Sequence, residues 1–138
     1  MKKILLLLIV FISFQIVSHS QSKPYNVVFD LTSGDTATHQ RVIRWITGIL
    51  QSYPDAKVEV VFYGRSLPMV ETGKSSVTSG IETSVKAGNV TFAVCEQAMK
   101  RHNVEKNMLL PGVKTVPDAL YELVTKQAEG YGYIKVTD

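Results

Sequence analysis

Three short runs constrain this chain more than anything else in it. Tyr25–Leu31 (YNVVFDL), Lys57–Tyr63 (KVEVVFY) and Val90–Cys95 (VTFAVC) are nearly unbroken stretches of β-branched and aromatic residues. A strand with one wet face alternates apolar and polar side chains. One that is apolar at almost every position needs cover on both faces, which is the setting of a parallel sheet between helices. The segments between the runs supply that cover. From Thr38 to Ser52 the apolar residues Val42, Ile43, Ile46, Ile49 and Leu50 recur at helical spacing, beside Trp45, and Pro54-Asp55 ends the segment. Leu67–Val70 reads as a short helical turn, and Val77, Ile81 and Val85 lie four apart on a helix that Gly88 would end. A polar helix follows from Glu96 to His102, then a short strand around Pro111-Gly112. A last helix is opened by Pro117, with Ala119, Leu120, Leu123, Val124 and Gln127 on one face, and Tyr131–Val136 is a final strand. Strands and helices alternate with short connections, without repeat or linker. The expectation is one three-layer α/β/α domain.

The first twenty residues stand outside that pattern. Met1-Lys2-Lys3 is a positive start, Ile4–Val17 is apolar but for Ser13 and Gln15, and Ser18-His19-Ser20 offers small residues for a cut after Ser20. This is the layout of a secretory signal peptide. The run falls short of the roughly twenty residues a permanent membrane helix needs. Export to a periplasm or medium is expected, with residues 21–138 as the working domain. Lys2 and Lys3 also account for most of the formal +3; thirteen basic and twelve acidic residues follow Ser20. With no basic stripe, nucleic acid is not an expected partner. One cysteine in the chain excludes an internal disulfide.

In open parallel sheets ligands gather beyond the carboxyl ends of the strands. Those ends carry Thr32–Thr36, Gly64-Arg65-Ser66 and Cys95-Glu96. Cys95 is the sharpest of them, because a thiol between a strand end and a helix start faces free backbone N–H groups and the positive end of the helix dipole. The inert alternative, a buried core cysteine, is equally consistent with position alone. Neighbouring parallel strands bring Gly64 and Ser66 close to Cys95 and make Arg65 its nearest cation; Ser33 and Gly34 lie in the loop after the first strand. Thr32–Thr36 loosely suggests a phosphate loop, but Asp35 opposes an anion there and serves equally as a helix cap. Ala98 stands where a thioredoxin-type pair needs a second cysteine, and His102 lies too far along its helix to pair with Cys95. His39 and His102 read as exposed helix residues. With no clustered ligands, no Gly-x-Gly-x-x-Gly and no Walker lysine, neither a metal nor a nucleotide cofactor is expected.

Four stretches together resemble the DsrE/DsrF-like family: the apolar strand ending in Cys95, Leu109-Leu110-Pro111-Gly112-Val113, Val116-Pro117 before a helix, and Gln127-Ala128-Glu129-Gly130-Tyr131-Gly132-Tyr133-Ile134-Lys135. The resemblance implies a five-stranded parallel sheet with helices on both sides and assembly into trimers or hexamers. It also implies sulfur relay, in which the cysteine matching Cys95 carries sulfane sulfur as a persulfide between donor and acceptor proteins. The expected function is therefore an exported single-cysteine sulfur carrier; Arg65, as the nearest cation and not through any family motif, is expected to hold the anion. The alternative is a non-catalytic module of the same fold that binds a small ligand or partner.

Overall fold

The computed structural model describes residues 24–138; the leader expected at residues 1–20 lies outside them. Five strands, β1 (Asn26–Leu31), β2 (Lys57–Phe62), β3 (Val90–Cys95), β4 (Lys114–Val116) and β5 (Gly132–Val136), alternate with four α-helices, α1 (Thr36–Ser52), α2 (Thr78–Ala87), α3 (Glu96–His102) and α4 (Ala119–Ala128). All strand pairs are parallel, in the order β4-β3-β2-β1-β5. The three apolar runs form the middle of the sheet and are buried along nearly their whole length. No helix among the described residues is long and apolar enough to cross a membrane.

Alternation along the strands separates the two faces. Phe29 of β1 stacks on Trp45 of α1, with ring centroids 6.0 Å apart. Glu59 of β2, one register step from the Phe29–Val60 pair, faces Lys126 of α4. Helices α1 and α4 therefore cover opposite sides. On the first side α1 and α2 touch through Gly80, where a Cβ would lie 2.7 Å from Ile43 Cγ2. Asp35 caps α1, its Oδ2 accepting from Thr38 N–H at 2.8 Å. That hydrogen bond holds the Asp35 carboxyl below its usual range.

Four details differ from the sequence reading. β4 begins at Lys114, after Pro111-Gly112 rather than around it. Proline has no N–H for a ladder, and Gly112 sits at φ +85°, so the pair makes a turn. The last strand begins at Gly132, because Tyr131 N–H is bonded to Lys126 O at the end of α4. Tyr131 thus lies against Lys126, outside the strand that holds Tyr133. On α4, Ala119 and Leu123 point into the core, but Leu120, Tyr121 and Val124 are 62 %, 74 % and 62 % exposed. The helix meets the sheet along its 119/123 edge, and residues one position further round turn outward. Finally, His39 is 2 % exposed rather than on the surface, since its ring turns back to the Ser33 carbonyl at 2.8 Å. His102 is exposed as expected.

Candidate functional site

Cys95 ends β3 and is the N-cap residue of α3, with extended backbone and no side-chain hydrogen bond to the helix. It is 6 % exposed and lines a pocket of about 130 Å³ with Tyr63, Gly64, Gln97, Ala98, Arg101 and the start of α4 at Asp118–Leu120. The register Phe62–Val94 puts Tyr63 next to Cys95. Gln97 and Ala98 are four and three residues before Arg101, so one face of α3 delivers all three to the pocket. Glu96, the acidic residue next to Cys95 in the chain, turns away. Its carboxylate accepts from Thr115 at 2.9 Å and pairs with Lys106 at 3.0 Å, and the Lys106 hydrogen bond foremost holds it below the usual carboxylate range.

The other candidate residues divide. Gly64 stands beside Cys95 as expected, but Arg65 does not line that pocket; its cation is Arg101. At φ +64° Gly64 turns the chain away from β3, and Arg65 N–H bonds to Thr32 O at 3.0 Å. The loops after β1 and β2 are pressed together there, and a Cβ on Gly34 would stand 2.9 Å from the Arg65 carbonyl oxygen. Ser33, Gly64 and Arg65 instead meet in a separate cavity of about 390 Å³ at the carboxyl ends of β1, β2 and β5, with Thr32, Lys135 and the C-terminal residues through Asp138. Ser33 Oγ donates to the Asp138 carboxylate in this cavity. Ser66 takes no part in either site. It is fully buried, its hydroxyl is within hydrogen-bond distance of Leu31 O and Tyr63 O, and so it locks the β1 and β2 ends instead of facing a ligand.

Sequence reasoning missed the polar row beside this pocket. Asp30, 4 % exposed, accepts from Tyr133 Oη at 2.5 Å and from Lys135 Nζ at 2.9 Å. The Lys135 ammonium also lies 5.5 Å from the Tyr63 ring centroid. Hydrogen bonding to Asp30 pushes the Tyr133 phenol up to about 12; burial, then Asp30, does the same for Tyr63. The signal was an acidic residue inside an otherwise apolar run, at position 30. Among the described residues no cluster of three His, Cys, Asp or Glu side chains could hold a metal.

The sequence pattern of the DsrE/DsrF-like family matches residues 26–136, from the first strand to the last. The chain belongs to the DsrE/DsrF-like family. Solved structures share its fold. A protein of unknown function, MTH1491, from Methanobacterium thermoautotrophicum superposes with a TM-score of 0.75 at 22 % identity, covering 80 % of this chain and 98 % of that one. A conserved protein of unknown function from Bacteroides thetaiotaomicron, BT1422, gives 0.66 at 13 %, covering 85 % and 99 %. The ychN protein from E. coli gives 0.65 at 12 %, covering 80 % and 96 %. No curated protein matches the chain. Membership in the DsrE/DsrF-like family gives the chain a sulfur-relay-type fold with Cys95 at the end of its third strand.

Proposed function

We propose that this DsrE/DsrF-like protein is an exported sulfur carrier that holds sulfane sulfur as a persulfide on Cys95. The observation that carries the reading is a lone thiol, free of any side-chain cap, opening into a small pocket beside a guanidinium. The step balances without an added oxidant. The Cys95 thiolate attacks the outer sulfur of a donor persulfide R–S–SH, the donor S–S bond breaks, Cys95–S–SH forms and R–S⁻ leaves. Arg101 steadies the anionic donor and the departing thiolate. No second cysteine exists in the chain to convert the persulfide into an internal disulfide.

The reading includes assembly with further copies of the chain. The exposed face Leu120, Tyr121 and Val124 supports it, because Leu120 also lines the Cys95 pocket and a neighbour seated there would close over it. Export rests on the layout of the first twenty residues.

The test is intact-protein mass spectrometry after treatment with a small persulfide or polysulfide donor. One sulfur, about 32 Da, is expected on the protein and absent from Cys95→Ser. In Arg101→Gln, loading by an anionic donor slows by up to about fivefold, the scale of one exposed charge interaction. A wild-type protein that gains no sulfur refutes the proposal.

A further inference from the structure

On the α1 side of the sheet, away from Cys95, a groove of about 500 Å³ opens between β1, β5 and α1. That volume is within the range of small-molecule sites, roughly 300–1,000 Å³. Its walls are flat and held in place. Trp45, 40 % exposed, is backed by Phe29, while Tyr25 and Tyr53 stack face to face with centroids 4.6 Å apart and planes 13° from parallel.

Two further observations say what the groove takes. First, Gly48 lines it from the interior of the seventeen-residue α1, where glycine is among the least favourable residues. Gly80 in α2 is explained by the close approach of Ile43, but a Cβ at Gly48 would meet nothing within 4 Å. The helix thus omits a side chain at a point where packing does not demand it and where one would project into the open groove. Second, the charge at the groove has one sign. No carboxylate lines it, α1 contains no acidic residue, and Arg44 on its rim joins no ion pair among the described residues. The Arg41 guanidinium, outside the groove lining, lies 5.4 Å from the Trp45 ring centroid and donates from Nη2 to Thr38 Oγ1 and the Thr137 carbonyl; its buried Nε has no partner among the described residues.

We infer that this groove binds a flat aromatic anion, an aromatic carboxylate or sulfonate, with its rings between Trp45 and the Tyr25–Tyr53 pair and its acid group toward Arg44. Aromatic stacking supplies contact without ordering flexible chains, and Arg44 selects the charged form. The site is independent of the chemistry proposed for Cys95, which lies on the other face of the sheet.

Trp45 is the only tryptophan in the chain, so the groove carries its own reporter. The full chain is titrated with 8-anilinonaphthalene-1-sulfonate while energy transfer from Trp45 to the dye is read. Saturable transfer with one dye per chain is expected. Gly48→Leu, which fills the groove, abolishes it with the circular dichroism unchanged. Gly48→Ala, a gentler change that favours the helix, weakens it. Arg44→Gln weakens binding about fivefold, the scale of one partly exposed charge pair, and the uncharged N-phenyl-1-naphthylamine binds less tightly than the sulfonate. Met108→Ser, at an exposed apolar residue outside the groove, leaves transfer unchanged. Undiminished transfer in both Gly48 variants overturns the site, and equal binding of the neutral and charged dyes overturns the anion assignment. If Gly48→Leu instead reduces the assembly size seen by light scattering, the groove's occupant is a second copy of the chain and the inference fails.

Discussion

Glu59 is an acidic side chain that the fold has to bury. It faces α4 from within β2, and its side chain is almost wholly enclosed. Lys126 Nζ stands 3.6 Å away but is shared with Glu122 at 3.7 Å and Glu129 at 3.0 Å. One carboxylate oxygen, Oε1, has no partner among the described residues. Burial above all, reinforced by Glu122 and only partly offset by Lys126, pushes the Glu59 carboxyl from its ordinary 4.5 up to about 7. Between those two pH values the folded protein keeps a proton that the unfolded chain has released. Stability therefore falls as pH rises through that window, and it is unaffected by this group below it. A shift of that size corresponds to at most about 3 kcal/mol, of which roughly 2 kcal/mol lies above about pH 5.5. Shared titration with Glu122 and Lys126 lowers the expected figure to about 1–2 kcal/mol. Glu59→Gln keeps the shape and removes the proton equilibrium. In urea unfolding at about pH 5.5 and about pH 8.5, the wild type should lose about 1–2 kcal/mol more than Glu59→Gln on going to the higher pH. Parallel pH dependences in the two proteins would refute the assignment of this cost to Glu59.

Gly112→Ala is expected to destabilise the protein by about 1–3 kcal/mol, because the new Cβ would lie 2.4 Å from Val85 Cγ1 on backbone at φ +85°. Thermal unfolding checks this; Val85→Ala in the same chain should restore part of the loss by removing the clash but not the backbone strain, and an unshifted midpoint for Gly112→Ala would contradict the turn geometry. Asp30→Asn should return the Tyr133 phenol from about 12 toward its ordinary 10.0, since the hydrogen bond to the Asp30 carboxylate is the main cause of the shift. Tyr63 should move less, because burial leads there. Phenolate absorbance followed through alkaline pH reads both, and an unchanged titration would show that Asp30 does not govern the pair.

The central sheet was legible because β1, β2 and β3 are apolar on both faces, and only a covered parallel sheet satisfies such runs. Helix ends were legible where a local hydrogen bond or a positive φ fixes them, as at Asp35 and Gly88. The short β4 was misplaced, since three residues carry too little periodicity to compete with the turn chemistry beside them. For the site, the sequence placed Cys95 at a strand end and Gly64 across from it, which needs only the parallel order of neighbouring strands.

What the strand ends face was not legible. A one-residue turn at Gly64 carries Arg65 toward β1 and leaves Arg101 as the cation beside Cys95, and no local spacing encodes that exchange. The burial of His39 and the outward face of α4 depend likewise on which edge of a helix meets the sheet. Asp30 joins Tyr133 and Lys135 across more than a hundred residues because β5 returns to the far side of β1. Sequence by itself determined the layers and the strand that ends in the thiol, because hydrophobic burial and backbone pairing act over short stretches of chain. Only the tertiary structure decided the neighbours of that thiol, because strand order and the direction of each loop are settled by packing the whole sheet at once.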